Sequence, residues 1–200
     1  MSQQPTLYYF NGRGFGELPR LILNFAGVQF TDVRVEDIDD ALRARLPFGQ
    51  IPFFEDGKIE LSQSRSIVRF LSSKYKIAGK DENEIALVDA VAESIWDVVN
   101  PYFIVKDDAE KLLKYKTETI PRFFANWESL LLKNGGKHFV GQSLTYADIS
   151  IFHALDYLKF VGLDQLDSTK YPTLQSLYKS VSEIPSLKLY LENRPTDSKF

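Results

Sequence analysis

Two adjacent tyrosines, Tyr8 and Tyr9, lie in a short β-prone run near the start of the chain. A phenol has a reference pKa of about 10, so at neutral pH its hydroxyl stays protonated and can donate a hydrogen bond to an anion. Neighbouring residues of a strand face opposite sides of a sheet, so only one of the pair can face a given ligand. The residues alone leave open which tyrosine that is, and whether either does more than pack.

Two later segments, one with polar residues and one with a proline, lie at the ends of predicted secondary-structure elements. Gln63 and Ser64 stand at the predicted start of a helix, where unpaired N–H groups and the positive dipole end can bind a carboxylate. Plain helix capping is the alternative, and Ser62 alone could provide it. Ile51-Pro52 precedes a predicted hairpin, where a strand-initiating proline is the ordinary interpretation.

The chain has no cysteine and only two histidines, His138 and His153. This composition excludes disulfides, thiolate metal sites and cysteine nucleophiles. His153 falls in a helical pattern and His138 lies beside a glycine-rich turn, so structural roles are favoured for both. Any thiol chemistry must therefore use a sulfur that arrives with a ligand.

The elements that position these residues alternate in type over the first 76 residues. Asp56-Gly57 is the strongest hairpin signal in the chain, because this dipeptide suits a tight turn between two strands. A strand, a helix and a second strand imply a parallel pair, and the hairpin adds antiparallel strands. The predicted order is β-α-β-α-β-β-α, with elements at 6–10, 17–25, 29–35, 37–46, 51–55, 58–61 and 64–75.

The remainder of the chain has helical periodicity. After a polar linker at 77–83, apolar residues recur every three or four positions through 85–99 and again through 120–131. Thr145 and Asp148 have the spacing of a capping box, and Leu144 and Ile149 are placed to form a hydrophobic staple around it. We therefore predict two domains, at 1–76 and 84–200, the second of them all-helical.

Charge and hydropathy exclude several classes of partner. The net charge is −3 and there is no basic stripe, so nucleic acid is not an expected partner. No uncharged apolar run approaches the ~20 residues of a membrane-spanning helix, and the N-terminus lacks the pattern of a signal peptide. We expect a cytoplasmic protein without membrane contact.

Five short motifs together resemble the cytosolic glutathione transferases, and most closely their sigma class, which includes glutathione-dependent prostaglandin D synthases and squid lens crystallins. The resemblance spans essentially the whole chain and implies a thioredoxin-like first domain, an all-α second domain, glutathione as co-substrate and a homodimer. The motifs are Tyr9-Phe10-Asn11-Gly12-Arg13-Gly14, Leu46-Pro47-Phe48-Gly49-Gln50-Ile51-Pro52, Leu61-Ser62-Gln63-Ser64, Val88-Asp89-Ala90 and Leu144-Thr145-Tyr146-Ala147-Asp148.

The resemblance implies that Tyr9 is the catalytic residue and stabilises the glutathione thiolate. Lowering a thiol pKa from about 8.5 to roughly 6.5 requires about 2.7 kcal/mol of preference for the ionised form. A hydrogen bond to a charged group supplies about 1.5–3 kcal/mol, so one phenol donor with a nearby helix N-terminus is sufficient.

The resemblance also implies the remaining site residues, with Pro52 in the cis form. It implies a contact surface for the hydrophobic electrophile as well. The alternative for the residues of that surface is packing in the protein core. Expected to bind glutathione are Tyr9, Arg43, Gln50, Ile51, Pro52, Gln63, Ser64 and the partner subunit's Asp97; expected to contact the electrophile are Phe15, Val99, Phe103 and Ile104.

Three departures from the family pattern shape the expected function. Phe15 stands where many sigma enzymes have an arginine that assists the thiolate, and the segment 37–42 is about one residue short and lacks a tryptophan. Glu93 and Trp96 replace two of three acidic residues of a metal site, so no metal is expected.

Conjugation of glutathione to electrophiles is the favoured function. A prostaglandin-type isomerase and a non-catalytic hydrophobic carrier or crystallin-like protein are the alternatives.

Overall fold

The computed structural model describes residues 4–57 and 59–195, and within them the chain forms two compact units. The first comprises 4–76 together with 184–195, and the second comprises 77–183. Lys58, which the prediction placed in a strand, lies outside the described residues, as do the first three and last five residues of the predicted domains. No helix in the described ranges has the length and apolar character needed to cross a membrane.

The first unit is built on a mixed sheet in the order β2-β1-β3-β4. β1 pairs with β2 in parallel and with β3 antiparallel, and β3 pairs with β4 antiparallel across the predicted turn. This confirms the predicted thioredoxin-like arrangement. The elements are β1 (Thr6–Phe10), α1 (Glu17–Phe25), β2 (Thr31–Val35), α2 (Asp40–Arg43), β3 (Phe53–Glu55), β4 (Glu60–Ser62), α3 (Ser64–Lys74) and α10 (Pro185–Asn193).

Alternation along β1 divides its residues between two faces of the sheet. Leu7 and Tyr9 are buried on one face, at 0% and 3% exposure. Tyr8 points to the other face, where it packs against the small cluster of Leu42, Leu46 and Phe53. The two tyrosines therefore have separate surroundings, as strand geometry requires.

α2 is much shorter than the predicted helix at 37–46. It begins where the Asp39 carboxylate accepts the N–H of Leu42, and it ends after one turn at Arg43. Leu42 is the one buried residue of the element, so α2 contributes a single side chain to the cluster beneath it. So short a segment gains little from helix propagation, which explains why its weak periodicity overstated its length.

The second unit is all-helical, as predicted. α8 is buried over nearly its whole length, from Tyr146 to Leu158, and is the central helix of this unit. A short π-helical turn, Tyr115–Thr119, leads into α7, which has Pro121 in its first turn. The helices are α4 (Glu82–Glu93), α5 (Trp96–Val105), α6 (Ala109–Lys114), α7 (Ile120–Lys133), α8 (Tyr146–Phe160) and α9 (Pro172–Ser182).

The helix predicted through 85–99 is interrupted at Ser94 and Ile95. The Ser94 hydroxyl donates to the carbonyl of Val91 at 2.6 Å and accepts the indole N–H of Trp127 at 2.9 Å. A serine bonded to its own helix backbone competes with the regular helical pattern and bends it. The apolar spacing continues through this position, so periodicity alone could not locate the break.

The contacts group the C-terminal helix α10 with the first unit, whereas the predicted domains placed residues 184–200 with the helices. α10 packs on α1, where Tyr190 and Arg194 both bind the carboxylate of Glu17. These partners are more than 170 residues apart in sequence, so no local pattern could pair them. At the other boundary, the buried Ile77 accepts the N–H of Tyr146 and groups with the second unit.

The start of α8 is stabilised by the predicted capping box. The buried carboxylate of Asp148 accepts the N–H groups of Thr145 and Phe139 at 2.8 and 2.9 Å. These bonds tie the loop at Phe139 to the first turn of the central helix.

Replacing Asp148 with alanine should therefore destabilise the second unit strongly. Two buried N–H groups would lose their acceptor, and we expect a loss of about 2–4 kcal/mol in the free energy of unfolding, measured by urea titration. Asp107→Ala removes an exposed carboxylate paired with Lys106 and is the control, expected within about 0.5 kcal/mol of wild type. Equal stability of the two variants would contradict this role for the capping box.

Candidate active site

Tyr9 lies at the carboxyl half of β1, with its ring against the turn that leads into α1. The backbone N–H of Phe15 donates a hydrogen bond to the Tyr9 hydroxyl oxygen at 3.0 Å. The hydroxyl's own hydrogen takes no part in this contact. Tyr9 can therefore accept from the protein and still donate to a ligand atom.

The Tyr9 ring is held by a cradle formed by the backbone of Gly14 and Gly16. A Cβ on Gly16 would stand 2.4 Å from Cδ1 of the ring, and one on Gly14 would stand 2.5 Å from the hydroxyl oxygen. Neither position has room for a side chain, so glycine is required there by packing. The cradle was not predicted from the sequence: glycines flank Phe15 there, but nothing local shows that the Tyr9 ring packs on them.

The electrostatic setting keeps Tyr9 protonated. Burial raises the pKa of Tyr9 above the ordinary value of 10.0, and the hydrogen bond from Phe15 and the positive charge of Arg20 offset this only in part. The Cζ of Arg20 lies 5.7 Å from the centroid of the Tyr9 ring. At neutral pH the residue is a hydrogen-bond donor and cannot serve as a base.

Tyr8 is engaged elsewhere. Its hydroxyl accepts from Nη1 of Arg45 at 3.2 Å, and its ring lies 5.9 Å from that of Phe53 on the opposite face of the sheet. The two tyrosines, between which the sequence did not decide, thus have different surroundings. Tyr8 packs under α2, and Tyr9 faces the β1–α1 turn.

Two further predicted positions have unusual backbone geometry. The peptide bond between Ile51 and Pro52 is cis, as predicted. Gln63, which precedes α3, has φ 73° and ψ 112°, in the region that favours glycine. A non-glycine residue held in such a conformation costs about 1–3 kcal/mol and is typical of ligand-binding positions. Its side chain is exposed, and Ser64 beside it is half-buried.

The other predicted glutathione ligands lie at the surface. Arg43 is exposed, and its Nη2 donates to the carbonyl of Ile38 at 3.1 Å. Gln50 is exposed in the loop before Ile51, and Asp97 is exposed in the first turn of α5. All three are open to a ligand or a partner, and their assignment to glutathione stays a prediction.

The residues predicted to contact an electrophile differ in burial. Ile104 is 78% exposed and Phe103 is half-buried, both on α5, whereas Val99 is fully buried. The core-packing alternative is thus favoured for Val99. Phe15 is half-buried in the turn beside Tyr9.

The chain resembles known glutathione S-transferases throughout its length. The glutathione S-transferase N-terminal domain model matches residues 5–73, and the C-terminal domain model matches residues 96–194. Glutathione S-transferase A1 of Bos taurus is 34% identical over 213 residues, which cover 100% of this chain and 95% of the relative.

Solved structures agree with the sequence relatives. The pi-class glutathione S-transferase of Onchocerca volvulus has a TM-score of 0.87 at 30% identity, covering 96% of this chain and 94% of its own. Prostaglandin synthase D of Nilaparvata lugens has a TM-score of 0.83 at 27% identity, covering 96% and 99%.

The names of the relatives indicate the class of glutathione S-transferase as well as the family. Several curated relatives carry alpha-class names, and the Onchocerca structure is pi-class, so the predicted sigma class is not supported. The matching domain models cover most of the chain, and the Bos taurus relative aligns with all of it. The chain belongs to the glutathione S-transferase family and is an enzyme of that family.

Proposed function

We propose that this transferase ionises glutathione with Tyr9 as hydrogen-bond donor and transfers the thiolate to hydrophobic electrophiles. The observation that carries the proposal is the Phe15 N–H bond to the Tyr9 oxygen, which fixes the phenol and leaves its hydrogen to donate. A hydrogen bond to a charged sulfur contributes about 1.5–3 kcal/mol, enough to lower the thiol pKa by roughly one to two units. The thiolate is the nucleophile, so its greater population at neutral pH accelerates conjugation.

We propose that the other groups of glutathione bind to residues of the first unit and to one residue of the partner subunit. The N-terminus of α3, with Gln63 and Ser64, offers donors to the γ-glutamyl carboxylate. Ile51, beside the cis Pro52, offers its backbone N–H and C=O to the cysteinyl backbone in the manner of an added strand.

Arg43 and Gln50 are assigned to the glycyl carboxylate, and the partner subunit's Asp97 is assigned to the γ-glutamyl amine.

The decisive experiment is ultraviolet difference absorption of bound glutathione against pH. Native protein should show thiolate with an apparent pKa well below the free value of about 8.5, and Tyr9→Phe should raise that pKa toward it. Conjugation of chlorodinitrobenzene by the variant should fall roughly 10-fold to 100-fold at pH 7 and recover as pH rises. Activity of the native enzyme should be lost as pH falls through the bound thiol's pKa, because the thiol becomes protonated.

Tyr8→Phe is the matched control, since it removes a phenol hydroxyl from the neighbouring residue on the other face of β1. It should leave the thiolate pKa unchanged. If native protein binds glutathione without ionising it, the conjugation mechanism is wrong and a carrier function takes its place.

Isomerisation by the same thiolate is the second candidate. The similarity to prostaglandin synthase D of Nilaparvata lugens favours considering it, because both reactions begin with an ionised glutathione sulfur. Turnover of a prostaglandin endoperoxide without net glutathione consumption would distinguish isomerase from transferase activity. For either activity we propose a cytoplasmic location.

The strained backbone of Gln63 gives a separate prediction. Gln63→Gly should raise or preserve thermal stability, because glycine adopts positive φ without the penalty of about 1–3 kcal/mol. It should nevertheless weaken glutathione binding about tenfold by removing the side-chain amide. Lys76→Gly is the control: Lys76 has φ 60° at the end of α3, and its replacement should stabilise without changing the dissociation constant. Calorimetric titration and thermal unfolding measure the two quantities.

We also propose that the enzyme is a homodimer. Phe48 is 64% exposed on the loop before β3, a large apolar side chain with little contact in its own chain. The second unit has an apolar pocket of about 690 Å³ between α4 and α7, lined by Leu87, Ala90, Val91, Phe123, Trp127 and Leu130. Insertion of Phe48 into this pocket of a second copy would bury both apolar surfaces.

Phe48→Ser should therefore shift the protein from dimer to monomer in light scattering at micromolar concentration. Leu189→Ser is the matched control, because Leu189 is equally exposed, at 64%, on α10. The monomeric variant should bind glutathione more weakly, since it lacks the partner subunit's Asp97. A monomeric native protein, or a dimeric Phe48→Ser variant, would refute this assembly.

A further inference from the structure

The first unit contains a buried charge network that the proposed chemistry does not use. Glu17 and Arg20, one turn apart on α1, are 1% and 0% exposed. Burying charges is costly unless they are paired and hydrogen-bonded, and both residues are. Arg20 binds Asp32 through Nε at 3.0 Å, and Asp32 also accepts from Arg34 at 2.8 Å.

Arg20 ties down the turn that follows β1. Its Nη1 donates to the carbonyl of Gly12 at 2.7 Å and its Nη2 to the carbonyl of Phe10 at 3.3 Å. These two carbonyls lie at the end of β1 and in the turn beyond it. One rigid guanidinium fork therefore fixes how the chain leaves the strand that holds Tyr9.

Glu17 is held from the far end of the sequence. The Tyr190 hydroxyl donates to its Oε2 at 2.9 Å, and Nη1 of Arg194 binds its Oε1 at 2.8 Å. Burial, together with the charge of Glu17, raises the pKa of Tyr190 well above its ordinary value, so Tyr190 remains the donor. Glu17 Oε2 also lies 3.5 Å from Nη1 of Arg20, which joins the two halves of the network.

The segment between these two anchors presents the Phe15 N–H to Tyr9. Arg20 fixes its beginning, and at its end the N–H groups of Gly16 and Glu17 donate to the carbonyl of Arg13 at 3.1 and 2.8 Å. The Phe15 N–H that donates to the Tyr9 oxygen lies between these two anchors.

We propose that Glu17, Arg20 and Tyr190 are positioning residues for Tyr9, so that the C-terminal helix α10 sets how well the enzyme ionises glutathione. This inference rests on the proposed role of Tyr9. Loss of the Tyr190 hydroxyl would draw Glu17 Oε2 toward Arg20 and draw the guanidinium away from the Gly12 carbonyl. The turn would then loosen and the Tyr9 phenol would lose its fixed orientation.

The test variant is Tyr190→Phe, which removes one oxygen and leaves the ring in place. The matched control is Tyr178→Phe, which removes a hydroxyl that donates to another carboxylate, Asp156, in the second unit. For each protein, the pKa of bound glutathione is measured by ultraviolet difference absorption, with kcat and KM for chlorodinitrobenzene and the thermal midpoint.

We expect Tyr190→Phe to raise the apparent thiol pKa by roughly half a unit or more and to lower kcat about threefold or more at pH 7, with recovery at higher pH. The charged groups that face this network are Glu17, Arg20, Asp32, Arg34 and Arg194. Tyr190→Phe replaces none of them, so a shift in the thiol pKa reports the placement of Tyr9. Tyr178→Phe should leave the pKa at the native value.

Two results would overturn the inference in distinguishable ways. If Tyr190→Phe lowers the thermal midpoint but leaves the thiol pKa and its pH profile unchanged, α10 only stabilises the fold, and the role of Tyr9 is unaffected. If the native protein itself shows no thiolate, the proposed function fails and the positioning role fails with it.

Discussion

The bond from the Phe15 N–H to the Tyr9 oxygen is the interaction on which the proposed chemistry depends. It uses the acceptor side of the phenol and leaves the donor side free, which a thiolate stabiliser requires. A backbone donor is well suited to this task, because the path of the chain sets its position. A side-chain donor, in contrast, could change its position by changing rotamer. The cost is that the path of the β1–α1 turn must be held with the same accuracy as a catalytic side chain.

Much of the first unit is organised to hold that turn. The parallel pairing of β1 with β2 places Asp32 within reach of Arg20, and α10 supplies Tyr190 on the other side. Burial keeps the network out of competition with water, while each charged group retains a partner of opposite sign. The stability of the first unit and the positioning of Tyr9 thus rely on the same hydrogen bonds. A substitution that removes one of these bonds would affect both.

The fold was predictable where one local signal dominated. β1, α1 and α3 were placed almost to the residue, and the capping box of α8 was read directly from Thr145 and Asp148. The interruption of α4 and α5 and the grouping of α10 with the first unit were not predictable, because they depend on Trp127 binding Ser94 and on Tyr190 binding Glu17. The site shows the same division: motifs indicated Tyr9, Pro52 and Gln63, but only tertiary structure shows what supports them.

The glycine cradle around Tyr9 restricts which sequences this turn can explore. Gly14 and Gly16 have no space for a β-carbon, so variation is confined to the positions between and beside them. Phe15 is one such position, because the bond to Tyr9 uses its backbone N–H and not its side chain. A substitution at Phe15 therefore leaves the N–H donor to Tyr9 in the chain, whereas a side chain at Gly14 or Gly16 would displace the ring that this donor binds.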